Sequence, residues 1–252
     1  MSTAMIPHMA AKATGGAPAH RSGGGPIYPG DVSDKEESEL RSAFHHNLAD
    51  VDARLSELIH FVKEEVSDAT EALLREDVDA AVEIHTRRHL ADPLYEEVER
   101  KVGVLMARQA PVAADLRYLL AVLRAVPELE RSADLAEQIA RRGAQGITGH
   151  LTARGRALIT RTGDLTTAMW QEVCRCWDNR LARAAEMLEA ARDELDDVLT
   201  SLTAEVAASP IPASVTMDMA LIGRFYERLG DHAVYIASRL DSLTTWPSSS
   251  SG

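Results

Sequence analysis

Apolar side chains recur every three or four positions through most of the chain, and this spacing predicts helices. The pattern is clearest near the start, where Phe44, Leu48, Leu55, Leu58 and Val62 fall on one helical face. No stretch of the sequence alternates apolar and polar residues as a strand does. We therefore predict an all-α fold.

Capping residues and helix breakers divide this pattern into six long helices. Asp77 and Asp178 are the predicted N-caps of the second and fifth helices. Pro111 suits the first turn of the third helix, and Pro127 predicts a kink within it. The predicted helices cover about residues 34–75, 77–108, 111–142, 151–177, 178–207 and 212–243.

The six helices fall into two sets of three. Short connections make neighbouring helices antiparallel, so we predict a tandem repeat of two three-helix bundles, residues 35–145 and 150–243. The Gly- and Pro-rich residues 1–34 lack periodicity and predict a disordered head, while residues 244–252 predict a flexible tail.

Composition limits the classes of partner. The chain has 252 residues, of which 45% are hydrophobic and only 4% aromatic, a balance that favours packed helices over sheets. A net charge of −12 argues against nucleic acid as a partner and favours a protein with a basic patch. No apolar run reaches the length of a membrane span. Cys174 and Cys176 point away from each other on a helix and are predicted to be reduced thiols.

The motif Glu-Arg-x-x-Asp occurs twice, at Glu130–Asp134 and at Glu227–Asp231, with the copies 97 positions apart. The two acids of each copy lie one helical turn apart on the same face. That face continues the apolar stripe, so the carboxylates are partly desolvated and need a compensating partner. The repetition indicates an internal duplication.

The partners of the second copy are predicted by folding the fifth and sixth helices together at Pro210. Counting outward from that turn sets Glu189 level with Asp231 and Asp193 level with Glu227. Four carboxylates then face one gap, which favours hard or borderline cations such as Mg, Mn or Fe. We therefore predict a metal site in the second half.

The first half differs at one position. Folding at Pro111 sets Asp92 level with Glu130 and Arg88 level with Asp134. A guanidinium opposite Asp134 can form the ion pair that a metal would otherwise supply. The first-half metal site is therefore predicted to be weak or absent.

Several other polar residues have two interpretations. His85 and His89 share the face of the first-half acids and are either metal ligands or, more commonly, solvated or stacked rings. His232 is predicted at an interface or in solvent rather than as a ligand. Glu57 and His60 form one Glu-x-x-His pair, whereas di-iron bundles need two.

Three functions fit these residues. The first is a metal-binding adaptor with an exposed docking face. The second is a bundle enzyme, which requires an open metal coordination position and a nearby general base. The third is a metal-free interaction bundle whose motif acids pair with Arg131 and Arg228. No nucleophile elbow or phosphate-binding loop supports the enzyme.

Three segments carry a resemblance to a known family. The sequences QAPVAADLR at 109–117, LERSAD at 129–134 and YERLGDHA at 226–233 resemble those of the PhoU phosphate-signalling regulators. The similarity extends over about residues 36–243. It implies tandem three-helix bundles with carboxylate-bound Fe, Mn, Mg or Zn. By matching position, it implies as metal ligands Asp92, Glu130, Asp134, Glu189, Asp193, Glu227 and Asp231.

The resemblance also implies a role. It predicts a non-enzymatic, homodimeric, cytoplasmic protein that reaches the inner face of the membrane through partners. Those partners are a phosphate-sensing histidine kinase and the ATPase subunit of a phosphate ABC transporter. The implied function is negative regulation of phosphate uptake and of the phosphate-starvation response. Arg88 departs from the acidic pattern of the family, which weakens the expectation of a first-half metal.

Overall fold

The computed structural model describes residues 34–109, 111–181 and 183–244, and six long helices account for most of them. In chain order they are α1 Asp34–Arg75, α2 Val78–Gln109, α3 Ala113–Gly143, α4 Ala153–Asp178, α5 Ala184–Ala208 and α6 Ala213–Thr244. A short 3-10 turn, Thr148–His150, joins α3 to α4. The described residues contain no strand, so the all-α prediction is confirmed.

The chain divides into two units, one ending at Leu40 and one beginning at Arg41, and the packing below is that of the second. The predicted disordered head, apart from residue 34, and the predicted tail from residue 245 onward lie outside the described residues. Within the described ranges no helix combines the length and the apolar character that crossing a membrane requires.

The start of α2 agrees with the sequence prediction. The backbone N–H of Ala80 donates to the Asp77 carboxylate at 3.0 Å, as an N-cap requires. The start of α3 does not agree, because the helix begins at Ala113 and Pro111 lies outside it. Val112, with φ −121° and ψ 159°, is extended and separates the proline from the first turn. The helix then continues through Pro127 to its end.

The prediction that Asp178 caps α5 is wrong. Asp178 is the last residue of α4, and its carboxylate lies 3.1 Å from Nε2 of His60 on α1. The α5 helix begins only at Ala184, where the cap comes from a distant residue on α6. The backbone N–H groups of Ala184 and Ala185 donate to the two carboxylate oxygens of Asp241 at 2.8 and 3.0 Å. A tertiary contact thus replaces the local cap.

The core is shared by both halves, because α1 of the first half packs against α4 of the second. Gly163 on α4 lies so close to α1 that an added Cβ would stand 2.1 Å from a methyl carbon of Thr70. The Thr70 hydroxyl also lies 3.0 Å from the hydroxyl of Tyr226 on α6, which is fully buried. Helices α3 and α6 pack on each other, and each also packs on the preceding helix of its own half, α2 and α5 respectively. These two hairpins carry the motif acids.

Candidate functional site

The first hairpin has the predicted register. Arg88 on α2 donates from Nε to Oδ1 of Asp134 on α3 at 2.6 Å. One turn away, Nδ1 of His85 lies 2.9 Å from Oε1 of Glu137. The prediction that Arg88 stands level with Asp134 is therefore confirmed.

The Arg88 guanidinium is the centre of the first-half cluster. Besides Asp134 it contacts Asp92 through NH1 and Glu130 through NH2, the latter at 3.4 Å. Its side chain is only 5% exposed, and its guanidinium carbon lies 5.5 Å from the ring centroid of Tyr95. Burial by itself would lower the pKa of Arg88, but the hydrogen bonds to Asp92 and Asp134 raise it above its ordinary value.

The three predicted first-half ligands are thus brought together, around an arginine. The cation that compensates Asp92, Glu130 and Asp134 is Arg88 itself, and its guanidinium lies where a metal ion would have to bind. Burial tends to raise the pKa of Asp92, but the hydrogen bond from Arg88 overcomes that effect and lowers it. These residues do not fit a carboxylate-bound metal.

The second hairpin has a different register from the predicted one. Asp231 accepts a hydrogen bond from Nε of Arg192 at 2.7 Å, so it is Arg192, not Glu189, that faces Asp231. Gly230 beside it packs on Leu195, whose methyl carbon lies 2.7 Å from where a glycine Cβ would stand. The pairing predicted by counting from Pro210 is therefore wrong by about one helical turn. The packing of side chains between α5 and α6 sets the register, and the position of the turn does not.

With the observed register the two halves match. Arg192 follows Arg88 by 104 positions, and Asp196 follows Asp92 by the same 104. Arg192 also lies 3.7 Å from Asp196, its i+4 neighbour, just as Arg88 contacts Asp92. Each half therefore sets Arg-x-x-x-Asp on one helix against Glu-x-x-x-Asp on the next. Sequence reasoning missed Arg192 and Asp196, although this second repeated motif was present to be found.

The two clusters differ in burial and in charge balance. The Arg192 side chain is 33% exposed, against 5% for Arg88. The pKa of Asp196 is raised, first by desolvation and then by the charges of nearby acids, although Arg192 opposes the rise. The nearby acids that act on it are Glu227, Asp231 and Asp193.

The remaining predicted ligands are accessible. Glu227 accepts a hydrogen bond at 2.5 Å from NH1 of Arg224 on its own helix, and that arginine is 56% exposed. Asp193 and Glu189 are exposed, and the Glu189 charge acts on Arg192. This set has more carboxylates than cations, and both its arginines reach solvent. The charge balance of this set therefore favours a cation more than that of the first-half set does. Among the described residues, however, no three of these carboxylates place their oxygens within 4.8 Å of one another.

The partners proposed for the motif acids in the metal-free reading are not those observed. Arg131 donates to Glu128 at 2.7 Å, three residues away on its own helix. The Glu128 carboxylate also lies 3.2 Å from Nε2 of His232, whose Nδ1 lies 2.9 Å from the Ser132 hydroxyl. His232 is buried at the α3–α6 interface, which is one of the two places predicted for it, the other being solvent. Burial lowers the pKa of His232, while the charge of Glu128 opposes that effect.

The order serine, histidine, carboxylate resembles a hydrolase triad, but the environment does not. Ser132 is fully buried, and its hydroxyl donates to the Glu128 carbonyl at 2.6 Å. A nucleophile must be reachable by a substrate carbonyl. The three side chains instead form a polar connection between the two halves.

Known proteins share both the sequence and the architecture. The PhoU domain family matches the chain twice, over residues 55–143 and 159–240. The phosphate-specific transport system accessory protein PhoU homolog 1 of Mycobacterium leprae is 30% identical over 210 residues, which are 80% of this chain and 92% of that protein. PhoU homolog 2 of Mycobacterium tuberculosis is 30% identical over 211 residues, which are 80% of this chain and 96% of that protein.

A solved structure extends the similarity to three dimensions. The crystal structure of PhoU from Pseudomonas aeruginosa superposes with a TM-score of 0.74 at 25% identity, covering 80% of this chain and 99% of that one. Each of the two matched segments contains one complete Arg-x-x-x-Asp and Glu-x-x-x-Asp cluster. The chain therefore belongs to the PhoU domain family.

Proposed function

We propose that this protein is an accessory regulator of phosphate transport that restrains phosphate uptake and the phosphate-starvation response when phosphate is plentiful. The observation that carries this proposal is the double match to the PhoU domain family, supported by relatives named as phosphate-specific transport system accessory proteins. It acts by binding other proteins and does not catalyse a reaction.

Its partners are a phosphate-sensing histidine kinase and the ATPase subunit of a phosphate ABC transporter. The net charge of −12 supports docking on basic surfaces of such proteins, where complementary charge increases the rate and specificity of association. The protein works as a cytoplasmic homodimer and reaches the membrane through these partners.

The second-half cluster binds a divalent or trivalent cation, with Glu227, Asp231 and Asp193 as ligands. Asp196 is added to the predicted set because it lies among these acids, and Glu189 stays in it as an exposed outer carboxylate. The excess of carboxylates over arginines supports this assignment. The cation links α5 to α6 and stabilises the surface that the partners contact.

Metal analysis tests the cation site. The double variant Glu227→Ala with Asp231→Ala is compared with wild type after incubation with Mn²⁺ or Fe³⁺ and desalting. We expect wild type to retain metal and the variant to lose it. Glu96→Ala with Glu99→Ala, which removes two exposed acids from α2, is the matched control and keeps the wild-type content. Equal metal in wild type and the cluster variant would contradict the site.

A phosphate-starvation reporter tests the regulatory role. Deleting the gene should raise reporter activity in high phosphate, and the wild-type gene should restore repression. An unchanged reporter in a strain without any paralogue would contradict the role. Complementation with the Glu227→Ala, Asp231→Ala variant separates the regulatory role from the cation site. If this variant binds no metal and still represses the reporter, the regulatory role stands and the cation has no part in it.

A further inference from the structure

Two histidines and a glutamate come together on the first hairpin, next to the Arg88 cluster. His85 and His89 are one helical turn apart on α2, and Glu137 reaches them from α3. The potential ligand atoms of the three side chains all lie within 4.8 Å of one another. The set is distinct from the seven predicted carboxylate ligands.

The two rings have room to adjust around an ion. Their centroids are 4.5 Å apart in an edge-to-face arrangement, and the side chains are 55% and 60% exposed. Ligand atoms on one tetrahedral zinc ion lie about 3.4 Å apart, given Zn–N and Zn–O distances near 2.0–2.1 Å. Nδ1 of His85 and Oε1 of Glu137 already lie closer than this, at 2.9 Å, so rotation of the exposed His89 ring closes the remaining gap.

A carboxylate behind His89 orients that ring for metal binding. Nδ1 of His89 lies 3.4 Å from Oδ2 of Asp92, which leaves Nε2 directed away from Asp92 as the free ligand atom. Metal-binding histidines generally pass their second ring N–H to a carboxylate in this way. NH1 of Arg88 donates to the other oxygen of Asp92. The arginine at the centre of the first-half cluster therefore also positions the carboxylate that contacts His89.

We propose that His85, His89 and Glu137 bind one borderline transition-metal ion of the Zn²⁺ type, with solvent in the fourth position. Two imidazoles and one carboxylate suit Zn²⁺, Co²⁺ or Ni²⁺ rather than Mg²⁺ or Ca²⁺. Glu137 is largely buried, with 16% of its side chain exposed, whereas both histidines face solvent and give the ion a path of entry. This site is separate from the second-half cluster and takes a softer ion.

The geometry fits a ligand set better than a stacked pair. Stacking of His85 on His89 does not require a carboxylate, yet Glu137 lies 2.9 Å from Nδ1 of His85. A bound ion replaces the proton between Nδ1 of His85 and Oε1 of Glu137. The Glu137 carboxylate then compensates the charge of the ion. The ion also links α2 to α3 on the side where Arg88 joins the same two helices.

Cobalt titration tests the site directly. The chain is prepared without a histidine tag and titrated with Co²⁺, whose visible absorption strengthens in a tetrahedral site, and Zn²⁺ affinity is then measured by displacement. We expect one equivalent in wild type and at least a hundredfold loss of affinity in His85→Ala with His89→Ala. Asp92→Asn should weaken binding by about 10–100-fold, as expected for an outer partner.

Two further variants make the result specific. His45→Ala with His46→Ala removes two exposed histidines on α1 and should leave the cobalt spectrum unchanged. Glu227→Ala with Asp231→Ala should also leave it unchanged, whatever happens at the second-half cluster. Wild type without a tetrahedral spectrum, or a spectrum that persists in the His85 and His89 double variant, would overturn the proposal. Glu137→Gln gives a second, independent loss of binding.

Discussion

Arg192 donates from Nε to the Asp231 carboxylate at 2.7 Å, and this contact repeats the 2.6 Å hydrogen bond from Arg88 to Asp134 in the other half. The duplication has therefore kept an arginine as well as the acids. What has diverged is burial. One guanidinium is enclosed, whereas the other is one-third exposed.

Arg88→Met should destabilise the protein more than Arg192→Met. Removing the enclosed guanidinium leaves three carboxylates facing one another, and the loss of a buried ion-pair partner costs about 3–5 kcal/mol. Because these acids are 43–47% exposed, we expect about 2 kcal/mol for Arg88 and less than about 1 kcal/mol for Arg192. Urea unfolding monitored by circular dichroism measures both.

The same Arg88 variant should gain affinity for a hard cation. Without the guanidinium, Asp92, Glu130 and Asp134 form the all-carboxylate set that Mn²⁺ prefers. We expect millimolar Mn²⁺ to raise the melting temperature of the Arg88→Met variant more than that of wild type. The same melting-temperature measurement with Mg²⁺ gives a second test. If neither ion stabilises the variant more than wild type, the Arg88 guanidinium does not occupy the place of a metal ion.

The contact of Asp241 with the start of α5 should contribute more to stability than Asp178 does. Asp241→Ala removes the acceptor for two backbone N–H groups at the helix start and should cost about 1–2 kcal/mol. Asp178→Ala removes only a half-exposed pair with His60 and should cost less than about 1 kcal/mol. Unfolding free energies compare the two, and a larger loss at Asp178 would restore it as the cap.

Two glycines should respond in opposite directions to alanine. An added Cβ at Gly143 would stand 2.4 Å from the Cα of Leu73, and a backbone atom cannot easily move away, so Gly143→Ala should cost about 1–3 kcal/mol. Gly103 on α2 has nothing within 4 Å of that position. Gly103→Ala should stabilise the helix by about 1 kcal/mol. Thermal unfolding of both variants checks the close packing of α3 on α1.

Glu65 should make stability depend on pH. Burial raises its pKa from 4.5 to about 7 despite the Arg87 guanidinium 2.9 Å away. The folded chain thus holds this proton more tightly than the unfolded chain. The contribution of Glu65 to stability is fully present below about pH 4.5 and is lost as the pH rises through about 7.

The variant Glu65→Gln removes that proton equilibrium. Between pH 5 and pH 8, wild type should lose on the order of 2–3 kcal/mol relative to the variant, from the pKa shift of Glu65. All other titratable residues are common to both proteins, so the difference between the two unfolding curves isolates Glu65. Parallel pH profiles would mean that Glu65 ionises normally in the folded state.

The sequence by itself determined the helical fold and much of its local detail. The three- to four-residue spacing of apolar positions located all six helices, and Asp77 was correctly identified as the cap of α2. The first hairpin register also followed from the sequence, since Pro111 lies between the end of α2 at Gln109 and the start of α3 at Ala113. Such features depend on residues a few positions apart, which the sequence shows directly.

Only the tertiary structure decided how the second half is arranged. Its cap, Asp241, lies 57 positions from Ala184, and no local pattern indicates that the two meet. Its register depends on Leu195 packing against the bare backbone of Gly230, and the proline pair in the turn does not reveal that fit. Contacts between distant residues depend on how side chains fill the space between helices. That packing sets Arg192 opposite Asp231, and the spacing of the Arg-x-x-x-Asp motif along the chain does not show this pairing.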